Sequence, residues 1–146
     1  MSPDINVLVA ASRADHVHHR PAIGWLNRAI ARCENGESIE VLPMVSAGYL
    51  RLVTNPRVFP DPTPTETAIE FLDVLFSTPG VELLTIGAEW PLLRNLLIEK
   101  ALYGNDLPDA WIAAAIRAHG GHLVTFDRGF AKLLGKREVT ILAPTH

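Results

Sequence analysis

Residues 107–127 read LPDAWIAAAIRAHGGHLVTFD, and this stretch decides the fold class. Its first half is alanine-rich and helical, and Gly120-Gly121 stops it. Its second half, His122 to Phe126, is a short apolar run with β-branched and aromatic residues, the composition of a strand. The run ends at Asp127, ahead of Arg128-Gly129. The change from helical to strand patterning recurs along the chain, which marks an α/β domain.

Downstream, Gly129 to Leu134 reads as a short helix and Val139 to Leu142 as a last strand. Upstream, Glu89 to Leu102 is a helix with Leu93, Leu96, Leu97 and Lys100 at helical spacing, and Val81 to Ile86 is a strand. A further helix is announced by Thr63 as cap, Pro64 at the first position and Glu66 closing a capping box, with Ile69, Leu72, Leu75 and Phe76 as its buried stripe. Val45 to Val53 is a helix that stops before Asn55-Pro56. Ser38 to Leu42 is a short strand. The helix before it starts at Pro21, presents Ile23, Leu26, Ile30 and Cys33 on one face and stops at Asn35-Gly36. Periodicity alone reads Ile5 to Ala11 as a strand. Strands alternating with helical crossovers predict a mainly parallel sheet with helices on both faces, and such folds bind ligands at the carboxyl ends of their strands.

The chain has 146 residues, 48% of them hydrophobic and 20% charged, with 16 Asp+Glu against 13 Lys+Arg. That is enough chain for one domain with a real core, and its positive mean hydropathy excludes a disordered segment. No apolar stretch approaches the length of a membrane span, and the N-terminus lacks a signal-peptide pattern. The single Cys33 excludes an intramolecular disulfide and a multi-cysteine zinc site, and it suits a reducing cytoplasm. A net charge of −3 excludes a generally cationic coat, so a polyanion must be held by local basic patches or by metal ions.

Four aspartates stand where the chain passes from one element to the next: Asp4, Asp106, Asp109 and Asp127. Singly, each has an ordinary explanation. Asp106 is a natural helix cap, Asp109 is favoured in a first turn, Asp127 suits a turn, and Asp4 suits a terminal turn. Together at one sheet edge they would repel one another unless a divalent cation neutralised them. Hard oxygen donors without thiolates or paired histidines point to Mg²⁺ or Mn²⁺, and that chemistry is phosphoester hydrolysis.

These residues resemble the PIN-domain family, and within it the VapC-type toxin ribonucleases. The resemblance runs in order through Asp4-Ile5-Asn6-Val7-Leu8, then Gly48-Tyr49-Leu50-Arg51-Leu52-Val53-Thr54-Asn55-Pro56. It continues through Gly104-Asn105 ahead of Pro108-Asp109-Ala110 and closes on Thr125-Phe126-Asp127-Arg128-Gly129-Phe130. It implies a PIN fold over residues 1–146, with three α/β/α layers around a mainly parallel sheet of four to five strands. It also moves the first strand to Ser2 to Asp4 and makes the apolar run after it a helix. The implied site has Asp4, Asp109 and Asp127 as Mg²⁺ ligands (Mn²⁺ as the alternative), with Asn6 and Thr125 orienting the carboxylates or the substrate. Many PIN nucleases carry a Glu where this chain has Gly48, and Asp106 is the carboxylate placed to replace it.

The implied activity is a Mg²⁺-dependent endoribonuclease, held in check by a small antitoxin that fills an apolar groove. Tyr49 to Val53 and the helix around Trp90 and Leu97 are contributors to that groove or to a homodimer face. Arg13, Arg51 and Arg128 are the expected RNA contacts, Arg13 within a cluster with His16, His18, His19 and Arg20. Lys132, Lys136 and Arg137 read as a solvated face, and Trp25, Trp90 and Trp111 as core. The alternative is a PIN domain without catalysis that binds RNA or a partner, for which Gly48 speaks. A haloacid-dehalogenase-type phosphatase lacks support, because Asp4-Ile5-Asn6-Val7-Leu8 has no second aspartate.

Overall fold

A computed structural model describes residues 1–144; the last two residues of the expected domain, 145 and 146, lie outside the described residues. The elements run β1 (Ser2–Pro3), α1 (Ile5–Ser12), α2 (His19–Cys33), β2 (Ile39–Val41), α3 (Pro43–Val53), α4 (Thr65–Ser77) and β3 (Val81–Leu83). They continue with α5 (Trp90–Glu99), a 3-10 turn over Gly104–Asp106, α6 (Leu107–His119), β4 (Leu123–Thr125), a second 3-10 segment over Arg128–Lys132, and β5 (Val139–Ile141). All the strand pairs are parallel: β1 with β4, β4 with β5, and β2 with β3. The Glu40 N–H donates to the Met1 carbonyl at 3.0 Å and seats β2 beside β1, which extends the array to the order 3-2-1-4-5.

That order reverses at the β1–β4 boundary, because the chain leaves β1 toward β2 and returns to its other side as β4. The crevice at the carboxyl ends of such a pair is where parallel α/β sheets place ligands. Asp4 follows β1 directly and Asp127 lies two residues beyond β4. A crossover helix runs back against the strand it feeds, so the first turn of α6, with Asp109, opens at the same edge.

The run Ile5 to Ser12 is helical. Asp4 is extended (φ −77°, ψ 167°) and its carboxylate accepts the Ile5 N–H at 2.7 Å, capping α1. Val7, Leu8, Val9, Ala10 and Ala11 are all buried, so α1 is apolar around most of its circumference. A helix buried on every side carries no amphipathic signal, which is why periodicity alone reads it as a strand. Helix α1 packs against α2 and α3, and α5 pairs with α6.

Several local expectations are corrected. Thr63 does not cap α4: the helix starts at Thr65 after Pro64 without a side-chain cap, and the Thr63 hydroxyl accepts from Arg13 instead. The buried face of α4 is Ala68, Leu72 and Leu75, while Ile69 is exposed. Trp25 is core, but Trp90 and Trp111 are 62% and 39% exposed. Helix α6 ends as expected, with Gly120 in the left-handed region (φ 67°) and the Gly121 N–H returning to the Ile116 carbonyl at 2.9 Å.

Candidate active site

The fully buried Thr125 at the end of β4 organises the edge. Its hydroxyl donates to Asp4 Oδ2 at 2.7 Å and accepts the Asp127 N–H at 3.0 Å and Asn6 Nδ2 at 3.3 Å. Asn6 Oδ1 in turn accepts the Phe126 N–H at 3.3 Å. One hydroxyl thus ties the first residues of α1 to the strand end that carries Asp127, more than 100 residues away in sequence. Both Asp4 oxygens hold fixed donors, one from Ile5 and one from Thr125. Asp127 folds back on its own turn, with Oδ1 accepting the Gly129 N–H at 2.8 Å.

Asp109 is different. It is half-buried in the first turn of α6, and its carboxylate accepts no hydrogen bond among the described residues. Burial first, and then the negative charges of Asp4, Asp127 and Asp106, push its pKa up to about 6. Burial likewise raises Asp4, opposed by its bonds from Thr125 and Ile5. Asp109 thus stands in the field of the other three aspartates singled out in the sequence, and Asp4 in that of Asp127. Asp106 does not cap α6. Its carboxylate closes the preceding turn by accepting the Tyr103 N–H at 3.1 Å, and together with Asp109 it lines a cleft of about 370 Å³ with mixed charged and apolar walls.

Among the described residues no three carboxylate, imidazole or thiol groups stand close enough together to form a finished metal cage. The donor set nonetheless fits a hard divalent cation. An unbonded, half-buried carboxylate destabilised by its acidic neighbours is relieved by a positive ion, and the available donors are oxygens.

Gly48 is buried in α3, and a Cβ there would lie 2.4 Å from Ile5 Cδ1. The side chain of Ile5 occupies the space into which a residue at this position would grow, so any larger residue here requires Ile5 to move. Beside it lies an apolar recess of about 550 Å³, lined by Ile5, Met44, Leu93, Pro108 and Ile112 among others, with Arg51 and Trp111 also on its wall. Glu89 holds Trp111 there by accepting its indole N–H at 2.8 Å.

The expected basic contacts separate. Arg51 lines the apolar recess, and Arg128 is exposed and lines another recess with Ile141 and Leu142. Arg13 is not available to a phosphate. It is only 8% exposed, bonds both Asp15 oxygens (3.2 and 2.9 Å), the Thr63 hydroxyl and the Asp61 carbonyl, and lies 3.9 Å over the Phe59 ring. It clamps the proline-rich loop onto the end of α1. Arg13→Ala is expected to destabilise the fold by about 2 kcal/mol in urea unfolding. A phosphate contact would instead weaken RNA binding at unchanged stability.

Sequence reading passed over two cations, Lys100 and Lys132, which line the same cleft as Asp106 and Asp109. In sequence, Lys132 reads as part of a solvated face and Lys100 as part of a helix stripe. The available signal was position: one lies five residues after Asp127, the other just before the Gly104 turn.

Residues 1–136 match the PIN domain family model. Ribonuclease VapC43 of Mycobacterium tuberculosis is 36% identical over 130 residues, covering 88% of this chain and 86% of that protein. Ribonuclease VapC31 of the same organism is 35% identical over 137 residues, covering 93% and 94%. In structure, the chain resembles a subunit of VapBC2 from Rickettsia felis, solved bound to a DNA fragment from its promoter. The TM-score is 0.66 at 20% identity, covering 97% of this chain and 98% of the other. With the aspartates assembled on a parallel sheet edge, these likenesses agree: the chain belongs to the PIN-domain family, on its VapC branch.

Proposed function

We propose that this chain is a Mg²⁺-dependent endoribonuclease toxin that hydrolyses phosphodiester bonds in cellular RNA. The observation that carries the reading is the meeting, at the carboxyl edge of the sheet, of Asp4 bonded to Thr125, of Asp127 just beyond β4, and of the half-buried Asp109 in the first turn of α6. The curated relatives named as ribonucleases support it. A divalent cation, Mg²⁺ or Mn²⁺, held by Asp4, Asp109 and Asp127 would supply an activated water and neutralise charge at the phosphate.

The chain's own residues do the rest. Thr125 and Asn6 hold Asp4 and the Asp127 backbone in register, so the edge is set before substrate arrives. Asp106, beside Asp109, would supply the carboxylate absent at Gly48, but from the other side of α6. No serine, cysteine or histidine nucleophile is required. Inhibition by a small antitoxin belongs to the same reading, because the apolar recess adjoins both Asp4, through Ile5, and Asp109, through Pro108 and Ile112. A homodimer would use the exposed apolar surface of α5, where Trp90, Leu92 and Ile98 face solvent.

Gly48 favours a second reading, a PIN domain that binds RNA without cutting it. Cleavage of structured RNA with and without EDTA separates the two. The nuclease reading expects Mg²⁺-dependent cleavage that Asp4→Asn abolishes in a folded chain. Cleavage that survives Asp4→Asn would sink the site assignment, and binding without cleavage would leave the second reading. The same assay with Asp106→Asn decides whether Asp106 only closes its turn.

A further inference from the structure

The first turn of α6 divides two surfaces. Pro108 and Ile112 face the apolar recess, while Asp109 faces the cleft that carries charged side chains. Besides Asp106 and Asp109, that cleft is lined by Lys100 at the end of α5, Lys132 at the end of the second 3-10 segment, Asn105, and the apolar Leu102 and Leu133. Both lysines are exposed, and neither forms an ion pair with any carboxylate among the described residues. Two ammonium groups share a cleft with two aspartates and are bonded to neither, which leaves their charge for something that enters.

The backbone fixes where these cations sit. Ala101, directly after Lys100, has φ 51° and is the one non-glycine residue with positive φ among the described residues. It closes α5 in the left-handed position where glycine is usual, with the Leu102 N–H returning to the Leu97 carbonyl at 3.0 Å. The chain thus turns sharply from Lys100 into the cleft wall. On the other side Asp127 caps the segment that carries Lys132.

We propose that this cleft is the phosphate-backbone subsite of the RNA, with Lys100 and Lys132 contacting phosphates next to the bond to be cut; this rests on the ribonuclease reading. The lining selects the ligand class. Two lysines and an amide, set among Leu102 and Leu133, offer charge and donors to the phosphates of a polyanionic strand, whereas a wholly apolar peptide segment has its complement across α6. It also accounts for a chain of net charge −3 acting on RNA: the cations are few, but they stand beside the acidic edge.

The test is steady-state cleavage of a short single-stranded oligoribonucleotide in Mg²⁺ across a salt series, with Lys100→Ala, Lys132→Ala, the double variant, and Lys136→Ala as control. For single strands each phosphate contact contributes about 0.7 to the salt slope, or about fivefold in affinity at 0.1 M salt. Each cleft variant should therefore raise KM about fivefold and flatten the slope by about 0.7, with kcat within about twofold. Lys136→Ala should match the unaltered chain, and melting temperatures should be unchanged because the side chains are exposed.

Cleavage with unchanged KM and salt slope in the double variant overturns the proposal and leaves the ribonuclease reading intact. If the unaltered chain binds RNA without cutting it, the same losses are read in the dissociation constant, and the subsite stands while the nuclease reading falls. An unaltered chain that does not bind RNA overturns the subsite.

Discussion

Asp109→Asn is expected to lower RNA cleavage at least about 100-fold, beyond the loss typical of removing a group that merely orients a metal ligand. It should also raise the melting temperature of the metal-free chain. The two effects have one cause. Asp109 is half-buried, accepts no hydrogen bond among the described residues and faces three other carboxylates, so its charged form is disfavoured by the fold. Asparagine keeps the shape and removes the charge. Because the native pKa is raised, to about 6, the group's favourable contribution is complete below the ordinary aspartate value and is lost as pH rises through about 6. The stability gain of the variant is therefore largest above pH 6 and vanishes toward pH 4. Thermal melts in EDTA across that range measure it. Added Mg²⁺ should stabilise the unaltered chain more than the variant, since a ligand that binds only the native state raises its stability. A variant that melts at or below the unaltered chain at pH 7 would show that Asp109 is held by something other than its acidic neighbours.

Thr125→Val is expected to cost about 10- to 100-fold in cleavage or in Mg²⁺ affinity, although the residue would touch neither RNA nor metal. Valine is nearly isosteric, but it leaves Asp4 Oδ2, the Asp127 N–H and Asn6 Nδ2 without their shared partner in a buried setting. The loss of stability should be about 1–3 kcal/mol, the cost of an unsatisfied buried polar group. Thr125→Ser keeps the hydroxyl and should recover most of the metal affinity, with a modest packing loss from the missing methyl. Isothermal titration with Mg²⁺ distinguishes this from a purely structural role: if Val and Ser variants of equal stability bind the ion equally, the hydroxyl does not orient the carboxylates.

Much of this was legible in the sequence. The α/β alternation around His122 to Phe126, the Gly120-Gly121 stop and the junction aspartates are local signals, written in propensities and turn chemistry that need no tertiary partner. The first strand was not legible by pattern, because β1 is two residues long and the helix after it is buried on all sides. Only the motif resemblance placed it. The failures share a cause. Thr63 followed by Glu66 makes a good capping box, yet Arg13 claims the threonine hydroxyl from 50 residues away. Arg13 looked like a phosphate contact for want of any sign in its neighbourhood that Asp61, Thr63 and Phe59 would enclose it.

The sequence by itself determined which chemistry is available: aspartates at element ends, a lone cysteine, no paired histidines, and glycine where a fourth acid is often found. The tertiary structure decided which of those groups act together. Parallel crossovers carry Asp4, Asp109 and Asp127 from distant parts of the chain to one edge, and a single threonine hydroxyl fixes the register between Asp4 and Asp127. It also decided that Arg13 is enclosed, that Gly48 faces Ile5, and that Lys100 and Lys132 share the acidic cleft. Charge coupling, burial and steric exclusion depend on distances through space, and chain order does not contain those distances until the sheet is assembled.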